Sequence, residues 1–226
     1  MSTKPASAGR TAKSGQTRAR ILDAARCLFN EQGTAAASTN HIAAAAELSP
    51  GNLYYHFTDK QEIIRDLHDQ YAAANAGLWQ TEPGAPASLA GLRAGLARAT
   101  RLAWEYRFFE RELVALLRAD PLLAVSYRQA YQRRLGQWVA FGERLADQGD
   151  IRRPEPPGRL ADLAVAIWLI GANWLPFLEI TGDPRDPAQV ARGDDLVLAV
   201  LGPYLTEPSK PSEPSEPSEP SEKEEP

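Results

Sequence analysis

Apolar residues recur along this chain every three to four positions, and nowhere do they sustain an alternation of period two. The first stripe is Ile21, Leu22, Ala25, Leu28 and Phe29. It predicts an amphipathic helix from about Thr17 to Gln32, stopped by Gly33. Ser38 and Thr39 are cap residues before a short helix carrying Ile42, Ala43 and Ala46. Glu47-Leu48 then turns into a third helix, with Ser49 as cap and Pro50 at the first position, where a missing N–H costs nothing. Leu53, His56 and Phe57 share one face of it; Asn52, Tyr54 and Tyr55 take the other. Thr58 and Gln61 read as a capping box opening a long helix to about Trp79, with Ile63, Ile64, Leu67, Tyr71, Ala74 and Leu78 in its stripe. At 1.5 Å per residue such a helix spans ~30 Å, enough to join two domains.

Thr81-Glu82-Pro83-Gly84-Ala85-Pro86 is a breaker, and the signals beyond it stay helical. Ser88 caps a run to about Tyr106, and Phe109 to Arg118 forms another. Asp120-Pro121 opens a helix that stops at Gly149. A proline-rich loop leads to an apolar helix from Leu160 to Thr181, and Asp186-Pro187 starts a last helical region to Leu205, with Gly193 a candidate break. The predicted fold class is all-α. Residues 1–15 carry no hydrophobic period and are expected to be a disordered basic arm; residues 207–226, built on four Pro-Ser-Glu repeats, are expected to be a disordered acidic tail.

Charge changes the picture once it is divided. The net charge of −4 over 226 residues argues against a nucleic-acid partner, yet residues 1–60 hold seven Lys/Arg and four Asp/Glu, a local +3, and the remainder carries −7. A basic end joined to an acidic body is what a DNA-binding head would show, and a short helix with an apolar and a donor-rich face suits a major groove. No apolar run is expected to reach the length of a membrane span, and no secretory signal is evident. The single cysteine, Cys27, excludes an internal disulfide, fits a reducing cytoplasm and is expected to be buried beside Leu28 and Phe29. His41, His56 and His68 all precede residue 70, so the second half has no histidine for acid–base or metal chemistry. With no phosphate-cradling glycine loop and no nucleophile beside a base, we expect no enzyme, no metal and no cofactor.

The spacing Thr17-Arg18-x-x-Ile21-Leu22-x-Ala24-Ala25-x-x-Leu28-Phe29-x-x-x-Gly33 is followed by Ser38-Thr39-x-x-Ile42-Ala43. Leu48-Ser49-x-Gly51-x-Leu53-Tyr54-x-His56-Phe57-x-x-Lys60 completes it. Together these resemble the DNA-binding domain of TetR-family transcriptional regulators. The resemblance implies a helix-turn-helix domain over residues 16–62 and a ligand-binding and dimerisation bundle over 63–206. It implies that Thr39 and Asn40 approach phosphate or a base edge, that Pro50, Gly51 and Asn52 sit at the groove end of the recognition helix, and that Tyr54, His56 and Lys60 touch phosphate. One departure is Glu47, where the family usually has glycine at positive φ, which puts the turn geometry in question.

The second half is rich in aromatic residues. Trp104, Phe108, Tyr127, Tyr131, Trp138 and Trp174 are candidate lining for a small-molecule pocket, with Arg111, Glu112 and Asn173 as polar partners. The apolar run from Leu160 shows more than one apolar face, so Leu163, Ile167, Gly171 and Leu175, with Leu196 and Val200 of the last helix, are candidates for a partner surface. The resemblance implies that two such helices per subunit build a four-helix homodimer interface. The expected protein is a ligand-responsive regulator, a repressor, binding a palindromic operator as a homodimer and released by a small apolar or aromatic molecule. The alternative is a helical ligand-binding or scaffold protein whose DNA-binding head no longer reads an operator.

Overall fold

The computed structural model describes residues 8–79 and 87–206, with side chains from residue 13. Among them are nine α-helices and no strand: α1 (Ala8–Ala36), α2 (Thr39–Ala45), α3 (Pro50–His56), α4 (Lys60–Ala76), α5 (Leu89–Glu105), α6 (Arg107–Ala119), α7 (Pro121–Asp147), α8 (Leu160–Thr181) and α9 (Pro187–Leu201). The breaker at 81–86, the tail at 207–226 and the first seven residues of the arm lie outside the described residues. Residues 8–15, expected to be disordered, instead form the start of α1.

Local chemistry sets most helix ends. Ser38, Ser49, Ser88, Asp120 and Asp186 each accept a backbone N–H as N-cap, and Pro50, Pro121 and Pro187 follow three of them at the first position. At α4 the cap is Asp59 rather than Thr58: its carboxylate accepts from Glu62 N–H at 2.7 Å. Glu62 in turn receives the Thr58 N–H and hydroxyl at 2.7 and 2.9 Å. The cap expected at Thr58 thus falls one residue later, because aspartate outcompetes threonine for it, and Glu62 rather than Gln61 reaches back to Thr58.

Two hydrophobic cores result. The first contains the α1 stripe Ile21, Leu22, Ala25 and Phe29 with Ile42, Leu53, Phe57, Ile63 and Leu67, and it continues without a gap into Phe108, Phe109 and Leu123. Cys27 is exposed, not buried; two positions past Ala25 it lies about 200° round the helix from the stripe. Ala74 also points outward, and the α4 stripe runs instead through His68, Tyr71 and Asn75. The second core gathers Trp79, just past α4, with Leu92, Leu96, Phe141, Leu145, Ile167, Val197 and Leu201 from α5, α7, α8 and α9.

Glycine permits two close contacts in the body. A Cβ on Gly95 would stand 2.6 Å from Trp79, and one on Gly193 would collide with the Trp174 ring. The latter explains why α9 is unbroken at Gly193: the residue is there for a neighbour's ring, not for a turn. At 22 residues α8 is long and apolar enough to cross a membrane by length and composition, contrary to expectation. It packs on α6, α7 and α9.

Phe108 is fully buried against Phe29, ring centroids 5.3 Å apart. Phe108→Ala is expected to cost about 3–5 kcal/mol in urea unfolding.

Candidate functional site

The head is built so that its second and third helices show their polar sides outward. Ile42, Ala43, Leu53 and Phe57 face the core, leaving Asn40, Gly51, Asn52, Tyr54 and Tyr55 exposed on one surface, with Tyr55 81% accessible. Thr39 and Tyr54 are tied together hydroxyl to hydroxyl at 2.9 Å, so α2 and α3 share a fixed polar seam. Pro50 is exposed beside it, and His56 is half-buried, edge-on to Tyr55 at 5.1 Å.

The turn between α2 and α3 takes the left-handed conformation at Glu47, φ 54°. Arg20 holds it, donating from Nε to Ala46 O at 3.0 Å and from its guanidinium to Glu47 O at 3.4 Å. Arg18 likewise bonds Asp66 at 2.6 Å and His56 O at 2.8 Å while stacking 4.1 Å from the Phe57 centroid. Two cations of the basic N-terminal stretch therefore brace the head internally. So does Lys60: its half-buried ammonium donates to Thr34 O at 2.6 Å and Ala37 O at 3.1 Å, capping carbonyls at the end of α1.

The end of α1 is also where the body takes hold. Asn30 donates to Glu105 O at 2.8 Å and accepts from Phe108 N–H at 3.1 Å. Arg111 donates to Phe29 O at 2.8 Å. The Glu112 carboxylate receives Thr34 N–H at 3.1 Å and its hydroxyl at 2.6 Å. Gly33, φ 83°, sits against that carboxylate; a Cβ there would lie 2.9 Å from it.

Two residues before Glu112 on α6, Glu110 points the other way, into the body. Its carboxylate accepts from Tyr71 hydroxyl at 2.7 Å. Burial raises its pKa, with the Tyr71 bond and the Arg134 charge opposing. Burial also lowers the pKa of His68 and, with the Glu110 charge adding, raises that of Tyr127 to about 12. Two cavities meet at Tyr71, Glu110 and Arg134: one of about 320 Å³ between α4, α6 and α7, and one of about 80 Å³ lined by Trp79, Trp138, Trp168 and Trp174.

Part of the expected lining borders these cavities. Trp138 and Trp174 line the smaller cavity and Tyr127 the larger. Phe108, Arg111 and Glu112 belong to the α1 contact instead, because their positions on α6 face away from Glu110. Trp104 carries the Arg107 guanidinium, Tyr131 packs edge-on to Trp168, and Asn173 is exposed, its amide returned to Leu169 O at 2.7 Å. His68, Tyr71, Asn75, Glu110 and Arg134 were missed as lining. His68 and Asn75 had a readable signal: polar residues at apolar positions of the α4 stripe.

A family model described as bacterial regulatory proteins, tetR family, matches residues 21–67, and one described as a bacterial transcriptional repressor matches residues 70–212. The chain belongs to the TetR family. Members of this family are transcriptional regulators, not enzymes. This TetR-family chain is 46% identical over 59 residues to the transcriptional regulator UidR of Escherichia coli K12, a stretch that covers 25% of this chain and only 30% of that relative. A TetR-family regulator from Marinobacter aquaeolei VT8 is 35% identical, with a TM-score of 0.76 over 84% of this chain and 91% of that one. The SmeT–triclosan complex shares the fold at 19% identity, with a TM-score of 0.61 over 89% of this chain and 100% of that one.

The residues expected at a partner surface divide. Ile167 and Leu175 are buried within the chain, where they serve the body's own packing. Leu163, Leu196 and Val200 are half-buried, and Gly171 is exposed at the mouth of the smaller cavity. The open apolar face of α8 is a turn away, at Leu169, Phe177 and Ile180, the last 86% accessible.

Two outcomes follow for the site. Because the folded pKa of Glu110 lies above its unfolded value, the native state holds the proton longer, so this group costs stability as pH rises past the ordinary carboxylate range. Glu110→Gln, which keeps an acceptor for Tyr71, is expected to be more stable than the parent at pH 8, the difference shrinking towards pH 4 in thermal unfolding. Glu47→Gly relieves the left-handed strain and is expected to raise stability by up to about 1 kcal/mol in the same assay.

Proposed function

We propose that this chain is a ligand-responsive, DNA-binding transcriptional repressor that covers a palindromic operator as a homodimer in the cytoplasm. The observation that carries the reading is the α2–α3 surface, donor-rich outside and braced from within by Arg18, Arg20 and Lys60. Asn52 and Asn40 are the base-edge readers, an amide being able to pair both edges of adenine. Thr39, Tyr54 and His56 meet phosphate, and Pro50 and Gly51 let the backbone approach it closely. Lys60 spends two donors on the carbonyls of Thr34 in α1 and Ala37 just past it and offers a third to phosphate; its larger service is to hold the end of α1 against α4.

The partner surface in this reading is the exposed α8 face of Leu169, Phe177 and Ile180, flanked by Leu163 and by Leu196 and Val200 of α9. Ala188, Ala191 and Ala199, exposed on α9, let a second copy come close. A two-fold dimer sets its recognition helices ~34 Å apart, one turn of duplex.

The effector acts through α6. Glu110 faces the cavities while Arg111 and Glu112 hold the end of α1, so an occupant that shifts α6 moves the head. It changes DNA affinity only by favouring one head position over another. The SmeT–triclosan complex, alike in fold, holds a small aromatic molecule, which supports a small apolar or aromatic effector.

DNA fragments retained from a genomic library by the purified chain test the reading. Asn52→Ala is expected to weaken the recovered site by about 1–3 kcal/mol with relaxed sequence preference, and Tyr54→Phe to weaken binding evenly across sequences. Ile180→Glu is expected to give a monomer in sedimentation. Retention of no specific fragment would favour the scaffold alternative.

A further inference from the structure

Arg134 and Trp138 stand one turn apart on α7, and both line the smaller cavity. Each is a donor without an acceptor. The Trp138 indole N–H is buried with no partner. The Arg134 guanidinium rests on ring faces, 3.9 Å from the Trp168 centroid and 5.8 Å from that of Tyr71, and among the described residues no carboxylate forms an ion pair with it. Buried donors are almost always satisfied, so the Trp138 N–H calls for an acceptor from outside the chain, and the half-buried Arg134 guanidinium, one turn away on the same helix, is placed to share it.

The charge of the site points the same way. Its two inward carboxylates, Glu110 and Asp194, are both pushed towards the neutral form by burial. An arginine keeps its charge throughout the physiological range. The wall shared by the cavities thus carries a fixed cation, and the larger cavity beside it, lined by His68, Asp69 and Gln137 on one part and by Phe109, Leu113 and Tyr127 on another, has an apolar side for an apolar body. The aromatic cage alone would also fit an organic cation, but Arg134 already occupies the ring face such a cation would need.

We propose that the effector is an organic carboxylate, its charged end held by Arg134 and the Trp138 N–H and its apolar or aromatic body in the larger cavity. This rests on the reading of the chain as an effector-controlled regulator and assigns that effector its charge. A carboxylate is planar and takes two parallel N–H donors from one guanidinium, and the indole N–H supplies a third from the next turn.

The test is calorimetric titration of the full chain with phenylacetate, 2-phenylethanol and 2-phenylethylamine, three probes of one shape that differ in charge. Phenylacetate is expected to bind about 10-fold or more tightly than either other probe. Arg134→Gln should remove that advantage, Arg134→Lys should restore part of it, and Trp138→Phe, which keeps the ring, should weaken phenylacetate by about 3- to 10-fold. Binding of 2-phenylethanol should follow none of these changes. Preference for the amine, phenylacetate binding unaltered in Arg134→Gln, or no heat from phenylacetate at about 10 mM would each overturn the proposal. DNA retention by the unsubstituted chain, measured alongside, separates the two readings. Specific retention with the amine preferred sinks the carboxylate alone; anion binding without any retained DNA sinks the regulator.

Discussion

The grip of α6 on the end of α1 is the contact on which the rest of the arrangement depends. Glu112 receives both polar groups of Thr34, Asn30 exchanges bonds with two backbone groups of the body, and Arg111 covers the Phe29 carbonyl. Each fills a vacancy that a helix end creates, since terminal carbonyls and N–H groups have no partner within the helix. Removing one member leaves a buried polar group unpaired, which costs more than the bond was worth. The grip is thus specific in register as well as adhesive. Phe29 and Phe108 behind it make the head and the first helices of the body one continuous core.

That continuity gives α6 two duties within three consecutive residues. Glu110 belongs to the cavities and Arg111 and Glu112 to the head, because successive positions on a helix are 100° apart. A small rotation of α6 cannot change one without the other. The same helix also reaches α8 through the Arg111–Glu179 pair, so the helix that bears the exposed Leu169, Phe177 and Ile180 is in contact with both.

The helices and their caps were legible because they follow local rules: serine or aspartate before proline, a stripe every three to four residues, glycine at a stop. The head was legible in greater detail, since its core positions recur at fixed spacing. The cavity was less so. An aromatic residue at helical spacing reads alike whether it fills a core, as Phe108 does, or borders a space, as Trp138 does, and only the relative rotation of helices decides. For the same reason Ile167 and Leu175 read as partner-facing although they turn inward, on a helix apolar all round. Arg134 gave no signal, because a charged residue on a long helix normally faces water. Gly193 read as a break because the ring it accommodates lies 19 positions away in sequence.

The placement of the indoles carries one more consequence. Four of the five tryptophans, Trp79, Trp138, Trp168 and Trp174, border one small space, and the head contains none. Intrinsic emission from this protein therefore comes chiefly from the rings around that space, two of them within 4.6 Å of each other. The chain carries a built-in optical probe of its own interior, blind to the exposed polar surface of α2 and α3.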